Sequence, residues 1–198
     1  MTSVRPYVRF RPVRVLGIDP GSETTGWGVV EGDGDGRKYR LIEFGALRLQ
    51  ASATFSSRLL KISRGLEEVI DRLKPDACAI EEVFYATNPK VTLKLGQVRG
   101  VALLAAETAA LEISEYSPRL VKQTVAGYGN AEKRQVQEMV RVLLSLKTIP
   151  EPHDAADALA VAICHFHHAG ISRQLAAAES RMKLHPTVAA ATRRRAIR

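Results

Sequence analysis

The sequence is short of several things, and each shortage removes a class of protein. Among 198 residues there are only two cysteines, Cys78 and Cys164, both inside apolar stretches. That excludes a disulfide scaffold and fits a reducing compartment, so a cytoplasmic location is expected. No run approaches the roughly 18 apolar residues of a membrane span. The amino-terminal stretch MTSVRPYVRFRPVRV is basic but lacks the apolar core of a secretory signal. No internal repeat is visible. What remains, 45% hydrophobic and 25% charged residues, is the composition of an ordinary globular domain.

Acidic residues are nearly missing from both ends. Residues 1–14 hold four arginines and no acid, and residues 171–198 hold seven Lys/Arg against Glu179. The overall charge of +8 therefore hides a body, residues 15–170, whose charge is −2. Basic arms on a near-neutral body suggest a polyanionic partner such as nucleic acid, though such arms also serve as solubilising tails. The domain reading is a basic extension over 1–13, one folded domain over 14–170, and a basic tail over 171–198 expected to be disordered.

Within the body, Val13–Asp19 is a β-branched apolar run ending on Asp before Pro20-Gly21, which predicts a buried strand and a turn. Gly26–Glu31 is a second strand and the alternating run from Tyr39 to Leu47 a third, making an antiparallel meander. The intervening GDGDG resembles a calcium loop, but the twelfth position from Asp33 is Phe44 where a Glu is required, so it reads as a hairpin. From Ser56 the three-four spacing of Leu59, Ile62, Leu66, Val69, Ile70 and Leu73 predicts a helix closed by Pro75. Ala77–Glu82 is a fourth strand, Asn88-Pro89 opens a helix to about Leu111, and Ile113–Ser117 is a fifth strand. A helix capped by Asn130 and a last helix, His153–His168, ended by Gly170, complete an α/β fold with a mixed five-stranded sheet.

Acids stand where a core should not want them. Asp19 and Glu81 end apolar strands, and Asp154 and Asp157 lie three apart on the last helix among Ala155, Ala156, Ala158 and Leu159. Ligands in open α/β sheets gather beyond the carboxyl ends of strands, and an i, i+3 pair shares one helix face. Converging carboxylates repel unless a cation compensates, and oxygen-only ligands suit Mg²⁺ or Mn²⁺. Two such ions about 3.5–4 Å apart are the standard device for phosphodiester hydrolysis. Singly, each acid is equally well a turn cap, a surface strand end or a helix N-terminal acid.

Four runs, LGIDPGSETTGWGVV, AIEEVFYATNPKVTLKLGQVRGV, VKQTVAGYGNAEKRQVQ and HDAADALAVAICH, occur in that order. Together they resemble the RuvC family of Holliday-junction resolvases over roughly residues 14–170. The resemblance implies an RNase H-like fold, a homodimer, and Mg²⁺-dependent cutting of two symmetric strands at a four-way DNA junction. It implies Asp19, Glu81, Asp154 and Asp157 as catalytic, metal-holding acids, lysines Lys122 and Lys133 near the scissile backbone, and RuvA and RuvB branch-migration proteins as partners. Phe84, three after Glu81, is placed to stack on a base unpaired at the crossover, its alternative being a core position. Lys90, Lys94 and Arg99, with no acid between Phe84 and Gly100, fit phosphate contacts.

Other readings compete. His165, His167 and His168 look like a metal tract, but His165 is eleven residues past Asp154, about 16 Å along a helix, and the three fit a helix C-terminus instead. His153 is nearer and could assist from outside the ligand set. Ala102, Leu103, Ala105, Ala106, Ala109 and Ala110 form a small-residue surface that suits either a dimer interface or the core. GIDPGSETTGWGVV also resembles the first phosphate loop of sugar-kinase and actin-like ATPases, but no second copy is present. A non-catalytic DNA-binding module would leave the four acids unexplained, and a ribonuclease H or another resolvase is the nearest rival.

Overall fold

The computed structural model describes residues 11–33, 38–82 and 88–184, with side chains as far as residue 170. Phe84 falls outside these residues. Five strands form one sheet in the order β3-β2-β1-β4-β5. β1 (Val13–Asp19) pairs antiparallel with β2 (Thr24–Gly32), which pairs antiparallel with β3 (Tyr39–Arg48). On its other side β1 pairs parallel with β4 (Ala77–Glu81), and β4 parallel with β5 (Glu112–Tyr116). The meander and the two crossovers are those expected, and the topology is RNase H-like.

The period-two alternation of β1 and β4 sorts the two faces. Leu16, Ile18, Cys78 and Ile80 point into a core with Ile62 and Leu66 of α1 (Phe55–Leu73) and Val98 and Ala102 of α2 (Pro89–Thr108). Val15 and Ala79 point the other way, into a core with Val121 of α3 (Pro118–Ala126), Val136 and Val140 of α4 (Lys133–Leu143), and Leu159 and Ile163 of α5 (His153–Leu184). Gly17, Asp19 and Glu81 share the parity of Val15 and Ala79, so both strand-end acids belong to the α5 face.

Local chemistry explains the helix ends. The Thr54 hydroxyl accepts from the Ser57 N–H at 3.2 Å to cap α1, and Asn88 accepts from the Lys90 N–H at 3.0 Å with Pro89 opening α2. Ser117-Pro118 repeats that signature, and Pro118–Ala126 is a full helix, ended by Gly127 at φ 90°. α4 begins two residues later than an Asn130 cap predicts. Glu132 takes the cap in a reciprocal box, its own N–H donating to Gln135 Oε1 at 2.9 Å. Nor does α5 end at Gly170. A single helical glycine costs only about 1 kcal/mol, and the helix formers beyond it carry the backbone to Leu184, fourteen residues into the tail expected to be disordered.

Packing decides between the two readings of the α2 surface and corrects the placement of the histidines. Ala102, Ala105 and Ala106 are buried against α1 and the sheet and face the core, whereas Ala109 and Ala110 stand exposed just past the end of α2. The histidines do not sit at a helix end. His165 Nδ1 lies 3.1 Å from the Tyr116 hydroxyl on β5, and His168 Nε2 lies 3.3 Å from the Thr124 hydroxyl on α3. They tie α5 to its neighbours.

Candidate active site

The register Ile18↔Ile80 brings Asp19 and Glu81 side by side at the carboxyl ends of adjacent parallel strands. On the opposite flank Asp19 pairs with Gly26. A Cβ on Gly26 would stand 2.0 Å from the Asp154 carbonyl oxygen, and one on Gly17 2.0 Å from the Ala158 carbonyl oxygen. The missing side chains on β1 and β2 let the α5 backbone lie directly on the sheet. That contact delivers the first turns of α5, with Asp154 and Asp157, to the strand-end acids. Gly21 serves the preceding turn, where a Cβ would meet the Thr24 carbonyl oxygen at 2.0 Å.

Burial and mutual repulsion dominate the electrostatics. Loss of water, then the Asp157 charge, pushes Asp19 up to about 6, against the opposing effect of a hydrogen bond from Glu81. Burial, then the Asp19 charge and that hydrogen bond, pushes Glu81 up to about 8. The two carboxyls form one coupled pair, both held above the ordinary carboxylate range. The balancing cation is Lys133, at the first position of α4, whose Nζ lies 2.6 Å from Asp157 Oδ2. Burial acts to lower the lysine, but Asp157, Asp19 and Asp154 outweigh it and hold it above its ordinary value. Glu81, Asp157, Lys133 and Lys122 line a cleft of about 130 Å³, floored by Val121, Val136 and Ala160.

Among the described residues no three His, Cys, Asp or Glu side chains form a ready-made metal cage. Lys133 meets part of the charge through its ion pair with Asp157. The donor set nonetheless fits a hard divalent cation: it is all oxygen, and its raised carboxyls are those whose ionisation a nearby cation would favour.

Asp19, Glu81, Asp154, Asp157, Lys122 and Lys133 thus belong to one locality. Lys90, Lys94 and Arg99 do not join it. All three lie on α2, where Lys94 Nζ stands 5.7 Å over the Phe55 ring and Arg99 is ion-paired with Glu115 on β5. His153 opens α5 and lines a separate hollow with Arg48, Glu151 and Asp154. Sequence reasoning missed the Lys133–Asp157 pair, since no local pattern links residues 24 positions apart. Gly26 reads in the sequence as a site of close backbone approach, but Gly17 and the identity of α5 as the approaching element were missed, for which glycines on adjacent strands opposite an alanine-rich helix were the available signal.

A profile of the crossover junction endodeoxyribonuclease RuvC matches residues 15–165. The chain belongs to the RuvC family. It is 54% identical over 157 residues to the RuvC crossover junction endodeoxyribonuclease of Chloroflexus aggregans, spanning 79% of this chain and 94% of that one. The structure of T. thermophilus RuvC in complex with a Holliday junction substrate superposes with a TM-score of 0.75 at 36% identity, covering 81% of this chain and 96% of that chain. The yeast mitochondrial Holliday junction resolvase Ydc2, with a TM-score of 0.58 at 18% identity, shares the fold. The RuvC match takes in all four acids and both cleft lysines, whereas Arg11 and Arg14 fall just outside it. Arg11 is ion-paired with Asp76 at 3.1 Å, and Arg14 with Glu31 at 3.0 Å. Half of the arginines counted with the amino-terminal arm are therefore engaged by the domain. Among the described residues no helix is long and apolar enough to cross a membrane.

Proposed function

We propose that this RuvC-family endodeoxyribonuclease resolves four-way DNA junctions by paired, symmetric, Mg²⁺-dependent nicks in recombination and repair. The observation that carries the reading is the convergence of Glu81 from β4 and Asp157 from α5 with Lys122 and Lys133 in one cleft, next to Asp19 at the end of β1. Asp19, Glu81, Asp154 and Asp157 would hold the metal. Mg²⁺, or Mn²⁺ in its place, supplies Lewis-acid stabilisation of the attacking and leaving oxygens, two ions per site being the usual arrangement. The remaining chemistry falls to the chain. Lys133 is held at the acids by Asp157, and Lys122 stands at the cleft wall, both placed to meet the phosphate. A water oxygen bonds to phosphorus as the bond to the 3′ oxygen breaks, which leaves a 5′-phosphate and a 3′-hydroxyl. Phe84 as a stacking residue, and Lys90, Lys94 and Arg99 as more distant phosphate contacts, complete the DNA-binding set. Docking of RuvA and RuvB and a cytoplasmic location belong to the same reading.

A homodimer would place two such clefts on a two-fold axis, as two symmetric nicks require. Supporting it is the outward face of α2, where Leu93 and Leu104 are 69% and 64% exposed. Between them Gly96 and Gly100 have nothing within 4 Å of a Cβ position, leaving a flat stripe for a second copy to cover. Leu104→Glu is expected to shift the protein from dimer to monomer in analytical ultracentrifugation and to uncouple the two nicks. An unchanged sedimentation profile would move the interface elsewhere.

Substrate choice is tested by competition. With Mg²⁺ present, an unlabelled four-way junction should suppress nicking of a labelled junction at least tenfold more effectively than duplex DNA or an RNA–DNA hybrid. Equal suppression by the hybrid would favour a ribonuclease H activity instead.

A further inference from the structure

In the link between α3 and α4, Tyr128 is 49% exposed, yet held in place. Gly127 turns the chain through φ 90° at the end of α3. Gly129 then lies on the Arg119 side chain so closely that a Cβ would come within 2.7 Å of it. The Tyr128 hydroxyl donates to Gln135 Oε1 at 2.6 Å, the same oxygen that accepts from the Glu132 N–H to cap α4. An exposed aromatic ring is thereby locked to the first turn of the helix whose opening residue, Lys133, reaches Asp157.

The surroundings are those of a strand-binding surface. Tyr128 borders a groove of about 640 Å³ shared with Arg134 and Gln135, open enough to admit a nucleobase. The two acids of that groove are engaged: Glu132 caps α4, and Glu138 accepts from Arg141 Nε at 2.8 Å. Arg119 lies beneath the turn. A tethered ring beside Arg119 and Arg134, next to the helix that opens with Lys133, offers a face to a base and charge to its phosphates.

We infer that Tyr128 is a stacking platform for a base unpaired near the scissile phosphate, with Arg119 and Arg134 steering the backbone beside it. The inference rests on the resolvase reading. It makes Tyr128 a residue that selects where the strand settles, distinct from the acids that cut it.

The test uses full-length protein carrying Asp19→Asn, so that junctions bind without being cut, and junctions bearing 2-aminopurine at successive positions around the crossover. One position should change its fluorescence on binding. Tyr128→Leu should abolish that change and weaken junction affinity by about 5- to 150-fold, whereas Tyr128→Trp should retain both. Because stacking carries no charge, Tyr128→Leu should leave the salt dependence of binding unchanged, while Arg119→Ala should lower its slope by about one. Thermal melts of both variants within a few degrees of the parent would keep the comparison free of misfolding. If Tyr128→Leu melts low, Tyr128→Phe decides: it keeps the ring without the Gln135 tether and should bind within about threefold of the parent. Leucine binding as well as tyrosine, or Phe binding as poorly as leucine, overturns the stacking assignment alone. A parent protein that prefers no junction overturns the resolvase reading, and this one with it.

Discussion

Replacing Asp19 by Asn or Glu81 by Gln is expected to lower cleavage by about 10³-fold or more while making the metal-free protein more stable at pH 8. Both effects have one origin. Burial and repulsion hold Asp19 at about 6 and Glu81 at about 8, above their ordinary values of 3.8 and 4.5. A carboxyl raised on folding binds its proton more tightly in the folded chain, so the cluster costs nothing below about pH 4. The cost grows as pH rises through 4 to 6 for Asp19 and through 4.5 to 8 for Glu81, and it is complete above pH 8. At 1.36 kcal/mol per pK unit, shared between two coupled groups, it reaches the order of a few kcal/mol. An isosteric amide removes the charge and with it most of the penalty. The melting temperature in EDTA at pH 8 should rise by about 5 °C, and the gap between variant and parent should close at pH 4. Mg²⁺ should stabilise the parent at pH 8 and the variants far less. Junction binding should survive in all of them. Retained nicking, or amide variants less stable than the parent at pH 8, would remove these carboxyls from the reacting centre.

Gly26→Ala should be nearly as damaging without touching any ionisable group. Its Cβ would stand 2.0 Å from the Asp154 carbonyl oxygen and 3.0 Å from the Ala155 nitrogen. The obstacle is helix backbone, which cannot rotate aside as a side chain can. α5 must therefore lift from β2 at its first turn, at a cost of about 3 kcal/mol or more. Asp154 and Asp157 would then move away from Asp19. Displacements near 1 Å at a reacting centre cost about 100-fold in rate, so single-turnover cleavage should fall at least that far at saturating enzyme. Thermal melting should drop by about 5–10 °C. A variant that melts normally and cuts normally would show that the approach of α5 to the sheet has room to spare.

What could be read from the chain alone divides along physical lines. β1, its final Asp19 and the antiparallel meander were legible because period-two patterning and turn residues are local signals. Asn88-Pro89 was legible because capping is local too. Ser117-Pro118 carries the same cue, yet the helix it opens is nine residues long and easily passed over. The start of α4 was misplaced because Asn130 and Glu132 are both credible caps, and only the Gln135 side chain decides between them. Gly170 misled because a glycine after a long apolar helix is usually a stop signal, here outweighed by the helix formers between it and Leu184. The acids were legible as a set, but the coupling of Glu81 to Asp19 and the reach of Lys133 to Asp157 depend on register and packing that no spacing encodes.

The site is also assembled from parts of unequal permanence. Asp19 ends the central strand of the sheet, bonded to β2 along one edge and to β4 along the other. The amides of that strand should therefore be among the last to exchange with solvent, opening only when the whole domain does. Lys133 rides on α4, an eleven-residue helix anchored at its start by the Glu132–Gln135 box. Such a helix can fray while the sheet stays closed. Under mild denaturant the acids would keep their places after the lysine has gone, leaving a folded protein whose carboxyls still repel and whose balancing charge has left.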